Sequence, residues 1–283
     1  PQSASGALYR TKRAVVVGDP LQVEPVVTIP KVLIDILADS TGVANEYKVI
    51  ENSAQTFADN INEFSGMIGE RQVGCPLVVH RRCIEPMFSI SNMISYDNRM
   101  FNKTHKKEDY LKQEQPFLIK KSGWINVEGT ENGSKDHFVK NQAERVCQLL
   151  ENALHIYTNL YETDDKIFII TPFRTVAESM RKFVIGYFSV KGYDKEMLTK
   201  WTKNCVGTVH TFQGKDANEV LFVLGCSDKS VGAMNWVVKK ANILNVACTR
   251  AKYRIAFIGN LNDWKNRRYF REFIPKFIDT IDA

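Results

Sequence analysis

The chain has 283 residues, 44% of them hydrophobic and 25% charged, with a formal net charge of +6. That apolar content can fill real cores and excludes a disordered tail, and the mild basic excess admits a polyanionic partner without requiring one. The six cysteines (Cys75, Cys83, Cys147, Cys205, Cys226, Cys248) are scattered, with no CxxC pair and no His at ligand spacing, so neither a disulfide framework nor a metal site is expected. No apolar run approaches the ~20 residues of a membrane helix, and the opening PQSASGALYRTKR lacks the apolar core of a signal peptide. The expectation is an intracellular, cytoplasmic protein with reduced thiols and no membrane partner. Because the chain opens on Pro1 just before a strand candidate, a fragment is expected.

In chain order, RAVVVGD at Arg13–Asp19 is a β-branched run that predicts a buried parallel strand, with Asp19 and Gln22 at its carboxyl end, where open α/β sheets bind ligands. Gly-Asp-Pro followed by polar residues is also what an ordinary turn looks like. Between Ile29 and Gly74 the segments IPKVLIDILAD and TFADNINEFSGMIG have the three-to-four spacing of helices. CPLVVHRRC at Cys75–Cys83 predicts a short strand running into Arg81 and Arg82, a pair that suits either a bare surface or phosphate oxygens.

A helix is predicted over Met87–Met100, and the highly charged NKTHKKEDYLKQEQ at Asn102–Gln115 predicts a solvated loop. Further on come a strand at Trp124–Val127, an amphipathic helix at Val139–Tyr157, and a strand at Lys166–Phe173 followed by a helix from Thr175 to about Phe188. A linker is expected through Trp201. After it, VGTVHTFQGKD at Val206–Asp216 packs a Gly, hydroxyls, a His and an Asp ahead of a strand at Glu219–Gly225. NVACTRAK at Asn245–Lys252 then sits on a helix over Ala241–Ala251, before a strand at Tyr253–Ile258 and a helix with Phe270, Phe273, Ile274 and Phe277 on one face. Strands alternating with helices predict a mostly parallel α/β sheet.

Five segments in this order, GDPLQ at Gly18–Gln22, LVVHRRC at Leu77–Cys83, ITPF at Ile170–Phe173, VGTVHTFQGKD and NVACTRAK, resemble superfamily 1 helicases. Their spacing is similar to the branch that contains the nonsense-mediated-decay RNA helicases and related replication and repair DNA helicases. The resemblance implies a RecA-like P-loop NTPase fold, with residues 1–74 the end of a first RecA-like domain and 75–283 the second. It implies ATP and Mg²⁺ as cofactors of a longer parent, and single-stranded DNA or RNA as partner.

By the same resemblance Gln22 senses the γ-phosphate, and Arg82 and Arg250 are arginine fingers, a role worth ~10³ to 10⁵ in turnover. Asp19, Arg81, Gln213, Gly214 and Asp216 line the nucleotide, while Thr171, Thr208 and His210 face the nucleic-acid backbone. Two positions depart from the pattern. Arg81 stands where many relatives carry an adenine-stacking Tyr, and Asp216 is one methylene shorter than the usual Glu.

No GxxxxGK[ST] loop occurs; Gly214-Lys215 is followed by Asp216 and has Val209 where the first Gly belongs. The Mg²⁺-binding Asp-Glu pair is also expected elsewhere, with the missing first RecA-like domain of the same polypeptide. The chain alone is therefore expected not to hydrolyse ATP. The competing expectation, from a different class, is a non-catalytic helicase-like module that binds nucleic acid or scaffolds a complex.

Overall fold

A computed structural model describes residues 2–22, 27, 29–48, 52–68, 71–104, 117–131, 133, 136–153, 160–163 and 166–281. The chain divides into two compact units, Pro1–Val78 and Val79–Ala283.

In the first unit, helices α1 (Gln2–Tyr9), α2 (Lys31–Thr41) and α3 (Ala54–Ile61) precede a hairpin of β1 (Gly66–Ile68) and β2 (Arg71–Val73). Ser53 caps α3, its hydroxyl accepting from Thr56 N–H at 3.1 Å, and α3 stops where Asn62 turns extended. The helical spacing read through Gly69 therefore ends eight residues early, and a hairpin that the sequence did not announce follows. The buried strand expected at Arg13–Asp19 does not form. That run belongs to no strand among the described residues, with Val15 90% and Val17 81% exposed. A β-branched run becomes a strand only when neighbouring strands take its N–H and C=O groups.

The second unit is built on five parallel strands, β5 (Gly123–Asn126), β6 (Ile167–Thr171), β7 (Val206–Thr208), β8 (Ala217–Val223) and β9 (Ala251–Gly259), in the order β5-β9-β8-β6-β7. Parallel neighbours need crossovers, and helices supply most of them: α5 (Lys140–Ala153) joins β5 to β6, while α6 (Arg174–Ser189) and α7 (Lys195–Cys205) join β6 to β7. The short α8 (Val231–Val237) and α9 (Asn242–Arg250) join β8 to β9. Only β7 and β8 are linked without a helix, by the turns of residues 209–216.

Covered on both faces, the central strands read as continuous apolar runs, and all five residues of β6 are buried. At the far side Trp124 stacks on Phe257 at 5.8 Å, and the closing helix (Phe270–Phe277) drives Phe270 and Phe273 into the same cluster.

Several sequence expectations change here. The strand at Cys75–Cys83 shrinks to β3 (Val79–His80), which pairs with β4 (Phe101–Asn102) outside the main sheet and leaves Leu77 80% exposed. The helix expected through Met100 is α4 (Met87–Ser95). It ends because Asp97 and Asn98 adopt φ of 52° and 56°, the left-handed region that short polar side chains tolerate. The expected linker before Val206 is the helix α7, capped by Asp194 on Met197 N–H at 2.8 Å and buried through Leu198, Trp201, Thr202 and Cys205. Residues 105–116, most of the charged stretch, and the last turn expected of α5 lie outside the described residues, as does the loop over 23–26. Among the described residues no helix is long and apolar enough to cross a membrane.

Candidate nucleotide and nucleic-acid site

The segment after β7 turns back beneath the sheet. Phe212 is buried and stacks on Phe168 of β6 with ring centres 4.2 Å apart, which pins the turn to the sheet face. Thr211 closes it: its N–H donates to Thr208 O at 2.9 Å, and its hydroxyl lies 3.3 Å from that of Thr208. Gly214 sits at φ 83° with nothing within 4 Å of where a Cβ would be, so backbone conformation rather than crowding calls for glycine. The turn consequently presents His210, Gln213 and Gly214 to solvent and Thr208 half-exposed. Arg181 of α6 holds the start of β7 through two N–H bonds to Val206 O, at 3.0 and 2.6 Å.

Arg250 ends α9 and is wholly buried. Its Nη1 donates to Lys215 O at 2.9 Å and Phe212 O at 3.2 Å, its Nη2 to Thr249 Oγ1 at 3.1 Å, and its Nε to Val246 O at 3.3 Å. The guanidinium is thus the fastener between the last turn of α9 and the turn after β7. Burial, and then the nearby charge of Arg82, pull its pKa down to about 10, with Asp216 opposing; it stays protonated at neutral pH. Arg82 itself is half-buried and Arg81 exposed.

The segment carrying these two is tied down on either side. Cys83 N–H donates to His80 Nε2 at 2.9 Å, and Ile84 N–H donates to Lys252 O at 3.1 Å. Arg82, Arg250 and Asp216 therefore share one neighbourhood, although 34 residues separate Asp216 from Arg250 and far more separate both from Arg82.

Asp216 pairs with Lys252 at 2.7 Å, both about one-third exposed. The shorter carboxylate is held by Lys252, a role that the spacing of NVACTRAK does not announce. Asn245 is the other omission. Fully buried in α9, it accepts from Ser91 Oγ of α4 and donates to Tyr96 Oη at 3.1 Å, locking the helix that carries Arg250 onto α4. Its position five residues before the motif arginine is visible in the sequence, but its burial is not.

Two expectations fare differently. Thr171 is 1% exposed, and its hydroxyl accepts from Phe173 N–H at 3.4 Å, so it shapes the β6–α6 turn from inside rather than lying on an outer surface. Asp19 and Gln22 belong to the first unit. There Asp19 Oδ2 accepts from Gln22 Nε2 and Oδ1 from Leu21 N–H, both at 2.9 Å, an Asx turn that fixes the amide beside the carboxylate.

An all-parallel sheet flanked by helices, with clustered arginines where a helix end meets a glycine turn, defines an α/β domain. The AAA domain family matches residues 64–262, most of the chain, and the chain belongs to that family. An uncharacterized ATP-dependent helicase of Methanocaldococcus jannaschii is 26% identical over 214 residues, which cover 70% of this chain and 28% of that protein. The chain thus spans little more than a quarter of the length of that relative. It is a superfamily 1 helicase-like region, and its sheet is that of a RecA-like P-loop NTPase fold.

Proposed function

We propose that this chain is the γ-phosphate-sensing and strand-gripping part of an ATP-driven nucleic-acid helicase or translocase. The observation that carries the reading is the pair Arg82 and Arg250: two like charges close enough that one depresses the pKa of the other, in a setting where burial already disfavours charge. A concentration of positive charge beside a glycine turn suits an anion, and a phosphoryl group whose charge grows during transfer is the anion that the family's chemistry offers.

In this reading the two arginines have different jobs. Arg82, half-buried, meets the γ-phosphate. Arg250, fastened to Phe212 O and Lys215 O, carries that electrostatic signal into the turn bearing Thr208, His210 and Gln213. That turn would contact the single-strand backbone through Thr208 and His210, a contact that gives affinity without sequence information. Gly214 leaves room for close approach, Gln213 and the Asp216–Lys252 pair flank the nucleotide, and the Arg81 guanidinium plane would stack on its base. Gln22 and Asp19 keep the γ-phosphate and nucleotide roles that the helicase resemblance implies for them.

These residues contain no GxxxxGK[ST] cradle, and we assign no Mg²⁺ ligand among them. The 283-residue chain is accordingly expected to leave ATP intact with or without single strands. Steady-state hydrolysis by this chain, stimulated by single strands and lost in Arg82→Ala, would contradict the division of labour. If the strand is held by its phosphates, affinity for single-stranded DNA or RNA in a fluorescence-anisotropy titration falls steeply with added salt. A flat salt dependence would argue instead for a non-electrostatic scaffold.

A further inference from the structure

We propose that Glu131, His137 and Cys226 form a site for one divalent cation of the zinc class, at the carboxyl end of the five-stranded sheet and apart from the arginine cluster. Glu131 and His137 lie in the β5–α5 connection and Cys226 just beyond β8, yet one ligand atom from each falls within 4.8 Å of the other two. A carboxylate oxygen, an imidazole nitrogen and a thiol sulfur make a donor set that suits zinc and its first-row neighbours and does not suit magnesium or calcium, which take oxygen.

The three donors are held before any ion arrives. Gly225 is at φ 61°, and a Cβ there would come within 2.6 Å of His137 O, so only glycine lets the two loops press together. Cys226 N–H donates to His137 O at 2.9 Å, Gly225 N–H to Gln142 Oε1 at 2.9 Å, and Ser227 N–H to Glu131 Oε1 at 2.7 Å. Non-glycine left-handed backbone at His137 (φ 56°) and Cys226 (φ 58°) turns both side chains to the same spot.

The Glu131 side chain is only 2% exposed, and among the described residues its one ion-pair partner is His137, whose Nδ1 lies 3.2 Å from Oε2. Ser230 Oγ donates to the same oxygen at 2.8 Å and stands 3.2 Å from His137 Nδ1. A buried carboxylate beside an imidazole and a thiol is a setting that favours a dication.

Zinc bonds of about 2.0–2.3 Å put tetrahedral ligand atoms roughly 3.3–3.8 Å apart, so the His–Glu spacing already fits and the thiol needs at most about 1.5 Å of inward movement. On binding, the thiol proton and any proton shared by His137 and Glu131 pass to solvent. Ser230 Oγ or a water takes the fourth position. Because Thr175 Oγ1 donates to Asp136 O at 2.8 Å and Phe173 packs on the His137 ring at 4.8 Å, the ion would staple both loops to the start of α6.

The test is titration of the reduced 283-residue chain with Co²⁺, followed by back-titration with Zn²⁺. The expected result is one equivalent of Co²⁺ with a thiolate-to-metal charge-transfer band that Zn²⁺ abolishes, and a higher thermal midpoint with Zn²⁺ than with chelator. Cys226→Ser should remove the band, His137→Ala and Glu131→Gln should each weaken binding by about 10-fold or more, and Cys75→Ser, at the exposed thiol, should change nothing. No stoichiometric band in the wild-type chain overturns the site whatever the variants do. So does a band that survives Cys226→Ser or is indifferent to both His137→Ala and Glu131→Gln.

Discussion

Two apolar β-branched runs in this chain look interchangeable as sequence and end differently. Ile167–Thr171 is a central strand with every residue buried, while Arg13–Asp19, with Val15 and Val17 in open solvent, joins no strand ladder among the described residues. Side-chain composition is the same kind in both. What differs is that Ile167–Thr171 has a strand on each side, β8 and β7, and helices over its faces. Burial is a property of the partners, and the hydrophobic contribution of a valine appears only when they are present.

The largest break in that comparison should come from Ile169→Ala. It removes a fully buried side chain from β6 and should cost about 2–5 kcal/mol in urea unfolding, against less than about 0.5 kcal/mol for Val17→Thr. A similar cost for both would mean that the 13–19 run is covered in solution.

Next in size is Arg250→Ala. It strips hydrogen bonds from Phe212 O and Lys215 O in a buried setting, and a loss of roughly 2–4 kcal/mol is expected by the same measurement. Arg82→Ala, half-buried, should cost under about 1 kcal/mol. Equal stability losses would remove the distinction between a fastening arginine and a reaching one.

Asp194→Ala comes third. It deletes the cap of α7 and should cost about 1 kcal/mol, seen as an earlier thermal midpoint.

Most diagnostic is a pH effect. Glu219 on β8 is buried, and its two carboxylate oxygens accept from Leu118 N–H at 2.7 Å and Ile119 N–H at 2.9 Å. Desolvation outweighs those bonds and raises its pKa from 4.5 to about 7. The folded state therefore binds the proton more tightly than the unfolded one. The contribution is fully present below about pH 4.5 and is lost as pH rises through 7. Glu219→Gln should flatten that part of the stability profile between pH 5 and 8, and a slope unchanged from wild type would assign it to other groups.

The sheet was legible because its strands carry their own signature: Ile167–Thr171, Val220–Val223 and Ile255–Ile258 are near-continuous apolar runs. The motif residues were equally visible as types at fixed spacing. Depth was not. Nothing in NVACTRAK says that Arg250 turns inward onto carbonyls, that Asn245 is a buried hub, or that Lys252 takes up Asp216. Nor does ITPF reveal that Thr171 is enclosed by its own turn. The helix α7 escaped because WTKNC and its upstream residues have few apolar positions, yet Leu198, Trp201 and Cys205 at helical spacing suffice to dock it. Glu131, His137 and Cys226 were invisible as a group because only the fold brings two distant loops to one rim.

The central claim is that Arg82 meets the transferring phosphate while Arg250 fastens the strand-facing turn. Its most direct test is single-strand-stimulated ATP hydrolysis by a polypeptide that joins this chain to the P-loop domain proposed for its parent and carries Arg82→Ala, with the thermal midpoint measured alongside. The account predicts a fall in turnover of about 10³ with the midpoint nearly unchanged; turnover within a few-fold of wild type would contradict it.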